Sequence, residues 1–406
     1  RRLGGIVRNC KRAGAASLTE AFSFHMVSMM SRPLSRRKLL ALTFGSASAC
    51  TTQTLLGEKR VAGDGKPLGV AILGLGDYAT KQIAPAFAHC RHAKLTGIIT
   101  GSPDKIPTWQ KKYEIPDENV YRYENMAEIA KNKEIDVVYV ITPTGTHADF
   151  SIRALEAGKH VICEKPMAPT VADCTRMIEA AEKADRMLQI GYRLYWDPYH
   201  TRLITAMREK EFGEWTALET GFGYKIQDNV LANREKYPHV AWRVSKDLGI
   251  AGALYDVGVY AIQGAFYAGG IHPVSVTAKS WTDRKELFEV PEHWEWELQY
   301  ADGRVSKHTS SYGGGGNYLH LQTEEGKLHL DAAYGYQGQK GETPLGPMDF
   351  AQVYQQVGQL DGQMLAILKR KANITPGEMG RRDIRICNAV MEAAESGKKV
   401  PLTFDY

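Results

Sequence analysis

Apolar positions follow two rhythms along this chain. Between residues 68 and 193 they gather in short continuous runs, at 68–73, 94–100, 135–142, 159–163 and 188–193. Runs of this length, rich in Val and Ile, predict strands buried on both faces. Between them the spacing widens to three and four, at 126–130 and again at Val171, Cys174, Met177, Ile178 and Ala181. Thr170 stands where it would cap the second of these helices, with Asp173 three residues on. Strands alternating with helices predict a doubly wound parallel sheet over residues 67–190. Beyond that point the rhythm becomes strict alternation, at 215–221, 273–278, 294–300, 318–322 and 327–331, with a tight turn at Ala301-Asp302-Gly303. Alternation predicts antiparallel strands with one face buried. Residues 251–263 read as a helix despite Gly258, and helical stretches at 353–371 and 380–396 close the chain. The expected fold class is therefore α/β, with a C-terminal α+β domain over 191–406 built on a large, mostly antiparallel open sheet.

The first 49 residues fit neither rhythm. The chain of 406 residues has 51 basic and 46 acidic side chains, a net charge of +5. Nine of the basic groups lie in residues 1–49 against Glu20 alone, so that segment carries +8 and the remainder −3. A mildly acidic body argues against a nucleic-acid partner. Arg36-Arg37-Lys38 precedes an apolar run at 39–44 and small residues ending Ala47-Ser48-Ala49, the order of a secretory signal with an A-x-A cleavage site. The arginine pair before Leu39-Leu40 resembles a twin-arginine export signal. The reading is a leader over 1–49, a linker over 50–66 and a periplasmic protein, the apolar run being too short for stable membrane insertion. A disordered basic tail and lipid anchoring at Cys50 are the alternatives. Cys90, Cys163, Cys174 and Cys387 have no C-x-x-C or metal-like spacing, so they are expected to be buried thiols, with no metal site.

The candidate chemistry lies at strand ends. The first strand runs into Gly74-Leu75-Gly76-Asp77-Tyr78-Ala79, a G-x-G-x-x-A turn opening a helix near Tyr78. Strand, glycine turn and helix in that order form the Rossmann dinucleotide fingerprint, with the helix N–H groups aimed at a pyrophosphate. The second strand ends in Thr100-Gly101-Ser102, with Asp104 late enough to be a helix cap and Lys105 beside it. Hydroxyls and a lysine suit a 2′-phosphate where NAD-selective sites place a carboxylate, so NADP is expected over NAD. The third strand ends in Thr142-Pro143-Thr144-Gly145-Thr146-His147, where His147 either faces a ligand or caps the next helix. Glu164-Lys165-Pro166 follows the fourth strand, Lys165 being either catalytic or simply solvated. Asp256 and Tyr260, four apart on a helix, are either a reactive pair or a surface hydrogen bond. Tyr195, Trp196, Tyr199 and Trp242 are either sugar-stacking platforms or core.

Together GLGDYA at 74–79, TPTGTH at 142–147, AGKHVICEKPM at 157–167, GYRLYWDP at 191–198 and AGALYDVGVYAI at 251–262 resemble the Gfo/Idh/MocA family of nicotinamide-dependent sugar oxidoreductases. The likeness runs from about residue 68 to the C-terminus. It leans to the exported glucose–fructose oxidoreductase branch, because tyrosine stands at 260 where many members have histidine. The resemblance implies that Lys165 and Tyr260 are catalytic, with Asp256 beside them. It further implies cofactor contacts from the 74–79 turn, Thr100, Ser102, Lys105, Tyr123, Thr142, Pro143, Thr144, His147, Glu164, Lys165, Arg193, Trp242, Arg243 and Tyr336. Ala251 replaces the first of the family's usual paired glycines, and the arm after the leader is short and not proline-rich.

The implied activity is hydride transfer between a sugar C1 hydroxyl and tightly bound NADP, coupled to reduction of a second sugar. A phenol of pKa near 10 is a poor base at pH 7, so the base would need a cation such as Lys165 nearby. An open amphipathic sheet needs cover for its second face, which implies a homo-oligomer, a dimer or tetramer. A nicotinamide-assisted glycosidase and a non-catalytic sugar- or nucleotide-binding regulator are the rival readings.

Overall fold

The computed structural model describes residues 65–404. The twin-arginine leader, Cys50 and nearly all of the linker lie outside the described residues. The first sheet holds β1 (Leu68–Leu73), β2 (Ala93–Thr100), β3 (Val120–Arg122), β4 (Val137–Val140), β5 (His160–Cys163) and β6 (Leu188–Ile190). All its pairings are parallel, in the order β3-β2-β1-β4-β5-β6. This is the doubly wound order, whose switch point lies between β1 and β4. Every residue of β4 is buried, as continuous apolar runs require. β3, too short to show a pattern, had no sequence signal. The helical segment after β1 runs over 79–89 and begins as a π-helix, Ala79–Ile83. The ladder widens ahead of Pro85, which has no N–H to give and whose ring crowds the preceding turn.

The second sheet has nine strands: β7 (Trp215–Gly223), β8 (Pro273–Trp281), β9 (His293–Tyr300), β10 (Val305–Ser311), β11 (Asn317–Thr323), β12 (Gly326–Asp331), β13 (Lys340–Thr343), β14 (Gly346–Met348) and β15 (Val400–Pro401). Its order is β14-β13-β12-β11-β7-β10-β9-β8-β15. Every pairing is antiparallel except β7 with β10, where Ser311 lies opposite Gly223. One face buries Trp296, Leu298, Leu319 and Leu328 beneath helices Val259–Gly269 and Gly377–Ser396. The other presents Glu219, Lys279, Glu297 and Lys307. β10 escaped the sequence reading because its buried positions are Ser306, His308 and Ser310, so its alternation is not apolar.

Three local expectations change. The helix expected over 251–263 starts later, because Gly252 adopts φ +52° in a turn; a π-helical Leu254–Gly258 leads into Val259–Gly269. Helix Gln355–Ile367 packs with the first sheet: Leu360 and Met364 are fully buried among β1 and β2 residues. Asp361 on that helix accepts the backbone N–H groups of Arg91 and His92. Thr170 caps helix Val171–Ala184 as expected, accepting the Asp173 N–H at 3.1 Å. Cys163, Cys174 and Cys387 are buried, whereas Cys90 is only partly so. Among the described residues no helix is long and apolar enough to cross a membrane, and no cluster of ligating side chains suits a metal.

Candidate active site

A cleft of about 490 Å³ opens at the carboxyl ends of β1 and β4 and is closed on the far side by the 254–269 helix. That is the switch point of the sheet and an ordinary size for a small-molecule site. Its first wall is backbone. Gly74 has φ +99°, and a Cβ there would stand 2.6 Å from the Ile141 carbonyl oxygen. A Cβ on Gly76 would meet nothing within 4 Å, so this glycine leaves open space facing the cleft. Asp77 follows at the rim, bound to Lys81 at 2.7 Å and 3.8 Å from His239; the Lys81 hydrogen bond lowers its pKa. At the end of β2 the buried Thr100 hydroxyl accepts the Ser102 N–H at 3.0 Å, and Lys105 Nζ donates to the Leu75 carbonyl at 2.9 Å. Lys105 therefore bridges the loops that follow β1 and β2, while Asp104 sits exposed in a helical turn.

His147 meets the cleft and does not cap the next helix, whose N-cap residue is Thr146. It opens helix His147–Glu156 and is buried, with Nε2 at 2.8 Å from the Thr142 carbonyl and Nδ1 at 2.9 Å from the Pro166 carbonyl. It thus ties the 142–146 loop to the Lys165 loop while touching the cleft. Burial lowers its pKa, against the pull of the carbonyls it faces. Glu164, also buried, accepts the Tyr139 hydroxyl at 2.5 Å and the Lys165 N–H at 3.2 Å. Burial raises its pKa against the pull of those partners. The 165–166 peptide is cis.

The second wall is made of side chains. Lys165 Nζ donates to the Asp256 backbone carbonyl at 2.7 Å, stands 3.7 Å from Asp256 Oδ1, and lies 4.6 Å above the Tyr260 ring. The other carboxylate oxygen of Asp256 receives Arg243 Nε at 3.1 Å and the hydroxyls of Tyr224 and Tyr312 at 3.0 and 3.1 Å. Burial alone would raise the pKa of Asp256, but Arg243 and Lys165 outweigh it and hold it at about 2. Tyr260, 9% exposed, is wedged between Phe222 and Tyr334 and keeps its cleft-facing side beside Lys165.

The expected residues separate into a lining set and a supporting set. Gly76, Asp77, Tyr78, Ser102, Lys105, Thr142, Pro143, Thr144, His147, Glu164, Lys165, Trp242, Arg243, Asp256, Tyr260 and Tyr336 all meet the cleft. Gly74, Leu75, Ala79 and Thr100 lie beneath its surface. Tyr123 covers Gly101 and packs on Phe150 at 4.5 Å. Arg193 is 2% exposed and works from behind: it donates to the Tyr334 and Gly335 carbonyls and Gln355, and stacks on Tyr336 at 4.3 Å. Of the four aromatic platforms only Trp242 reaches the cleft. Tyr195 packs on Tyr267, Tyr199 on Phe350, and Trp196 lies over Gly358 and Gly362. Tyr224 and Tyr312 were missed; both follow strands, and β10 gave no signal before Tyr312.

Residues 68–192 match the model of the oxidoreductase family with an NAD-binding Rossmann fold, and residues 200–330 that of the GFO/IDH/MocA C-terminal domain. A solved structure, the aldose–aldose oxidoreductase of Caulobacter crescentus complexed with glycerol, is 37% identical, with TM-score 0.77 over 83% of this chain and 100% of that one. The chain belongs to the Gfo/Idh/MocA family. The D-xylose 1-dehydrogenase [NADP(+)] of Haloarcula marismortui is 24% identical over 83% of this chain and 93% of its own length. A levoglucosan dehydrogenase solved with NADH and levoglucosan shares the fold at 17% identity, TM-score 0.72, over 84% of this chain and all of its own. A nicotinamide dinucleotide, the cofactor of a Gfo/Idh/MocA chain, fits the residues present. Gly76 leaves room for a pyrophosphate at the helix start, and the open cleft continues to Lys165 and Tyr260.

Proposed function

We propose that this protein is an NADP-dependent aldose oxidoreductase acting at the C1 hydroxyl of a sugar. The observation that carries the reading is the convergence of Lys165, Asp256 and Tyr260 in the same cleft as the Gly76 turn. The likeness to an aldose–aldose oxidoreductase over 83% of this chain supports the sugar, and that to an NADP-linked xylose dehydrogenase supports the cofactor. So does the tip of β2, where Ser102 and Lys105 stand and no carboxylate faces the cleft.

Gly76, the 142–144 turn and Lys105 would hold the dinucleotide, whose nicotinamide supplies the two-electron acceptor for hydride from the sugar. Tyr260 takes the hydroxyl proton. Lys165, fixed by the Asp256 carbonyl, sets a positive charge beside the oxygen that becomes negative. Such acid–base assistance contributes roughly 10²–10⁴ in rate. We further read the chain as exported in a folded, nucleotide-loaded form, oxidising one sugar and reducing another on the retained cofactor. A second copy would cover the uncovered sheet face, giving a dimer or tetramer.

The test is to purify the chain, look for bound nucleotide absorbance, and add an aldose alone followed by a second sugar. The absorbance near 340 nm should rise and then fall. Tyr260→Phe should keep the nucleotide and lose about 10²–10⁴ in kcat. An empty protein in which no sugar changes supplied NADP would end this reading.

A further inference from the structure

Asp256 is held asymmetrically. Its Oδ2 receives three donors, Arg243 Nε at 3.1 Å, Tyr224 at 3.0 Å and Tyr312 at 3.1 Å. Its Oδ1 has only the Lys165 ammonium, at 3.7 Å, and the hydrogen bond of that ammonium goes to the backbone carbonyl instead. A carboxylate offers about four lone-pair positions across its two oxygens. Three donors saturate Oδ2, so the acceptor capacity that remains is on Oδ1, beside Lys165.

The two tyrosines reach this carboxylate because of one exception in the sheet. β7 and β10 are its parallel pair, with Gly223 opposite Ser311, so the residues that follow, Tyr224 and Tyr312, leave the same end of the sheet side by side. Their rings meet edge to face at 5.4 Å. Tyr312 is fully buried and Tyr224 stands at the rim, 37% exposed. Burial, and then the charge of Asp256, push both phenols up, so both remain protonated donors.

We propose that Tyr224 and Tyr312 are positioning residues that lock one oxygen of Asp256 and so leave the other to read a substrate hydroxyl adjacent to the one being oxidised. The inference rests on the aldose oxidoreductase reading and deepens it: the substrate class becomes sugars with a free hydroxyl next to C1. Lys165 lies within reach of both Asp256 Oδ1 and the Tyr260 ring, so neighbouring hydroxyls of one sugar ring can meet the two residues together. A carboxylate so anchored accepts a hydrogen bond and does not take the proton. The charged and titratable groups around it are Arg243, Lys165, Tyr224 and Tyr312, with Tyr336 farther off.

The experiment compares the wild type with Tyr224→Phe, Tyr312→Phe and the double variant, which keep the rings. The substrates are the aldose turned over fastest in a panel and its 2-deoxy form. The wild type should favour the full aldose by about 10–100-fold in kcat/KM, the range of a hydrogen bond to a charged group. In the double variant that preference should fall below about 5-fold, with the loss mainly in KM, and the acid limb of the pH profile should move upward. A wild type that does not discriminate, or a double variant that lowers both sugars alike, overturns the proposal while the oxidoreductase reading stands. If the wild type turns over no sugar, the functional reading fails. The lock is then decided by the ¹³C carboxyl signal of Asp256, assigned with Asp256→Asn. The signal should remain ionised at pH 4 in the wild type and already titrate there in the double variant. Equal titration overturns the lock.

Discussion

On the parallel-sheet wall of the cleft the backbone does the holding. Gly74 turns the chain at φ +99°, Gly76 leaves open space, and the 142–146 loop is tied down through carbonyls. On the opposite wall Asp256 is held by side chains that come from three places: Arg243, Tyr224 after β7 and Tyr312 after β10. On the proposed reading the first wall would bind what any dinucleotide presents, a phosphate and a ribose, for which fixed amides and empty space suffice. The second must tell one polyhydroxylated ring from another, which calls for side chains set against each other. The two walls should therefore fail differently: one to an added methyl group, the other to a removed charge.

The largest effect is expected at the glycine turn. Gly74→Ala places a methyl 2.6 Å from the Ile141 carbonyl oxygen in a backbone conformation that L-residues avoid. The conformation alone costs about 1–3 kcal/mol, and the clash adds to it. Thermal unfolding should show the loss in the absence of any nucleotide. Gly76→Ala should leave thermal stability unchanged, because its Cβ would touch nothing within the chain, yet it should abolish tight nucleotide binding. If both variants unfold alike, the open space at Gly76 is not a cradle and the contrast between the walls fails.

This contrast also explains what could be read from the sequence. Backbone-built features announce themselves locally: the glycine turn at 74–76, the Thr170 cap and the 143–147 loop each occupy consecutive residues. The buried parallel strands did so as well, through unbroken runs such as 137–140. The side-chain wall is assembled from residues far apart in the chain. Lys165, Asp256 and Tyr260 were singled out through motif resemblance and the structure brings them together in the cleft, whereas nothing local at Lys165 would tell a catalytic lysine from a solvated one. Tyr224 and Tyr312 were out of reach, since their meeting depends on β7 pairing parallel with β10. That strand buries Ser306, His308 and Ser310, so periodicity in hydrophobicity could not reveal it. Arg193 carried the right motif, but its burial behind Tyr336 is decided by Gln355, on a helix more than 150 residues later.

A second, smaller effect probes the side-chain wall through pH. Asp256 titrates at about 2 in the folded protein against an ordinary 3.8, burial being outweighed by Arg243 and Lys165. A depressed carboxyl contributes stability that is present above the unfolded value and lost as pH falls through the folded one. The window is thus pH 4 down to 2, and the contribution is about 2 kcal/mol. Asp256→Asn should be less stable at pH 6, where it leaves Arg243 without its anion, and the gap to the wild type should narrow by about that amount on acidification. Urea unfolding at pH 6, 4 and 2 measures the gap. A gap independent of pH would mean that the carboxylate is not held by charge, and the second wall would lose its distinguishing feature.

The smallest effect tests a side chain placed on the backbone wall. Lys105 is exposed and donates to the Leu75 carbonyl, so two roles are open to it: bracing the glycine loop or meeting a 2′-phosphate. The two separate cleanly between cofactors. Lys105→Ala should raise the Kd of NADP about ten-fold, the equivalent of about 1.4 kcal/mol, and leave that of NAD nearly unchanged. The salt dependence of NADP binding should weaken in parallel, since an exposed charge pair is screened. Equal weakening of NAD and NADP would assign the lysine to the loop through Leu75, and any preference for the phosphorylated cofactor would then have to come from the Ser102 hydroxyl, with Asp104 outside the cleft lining.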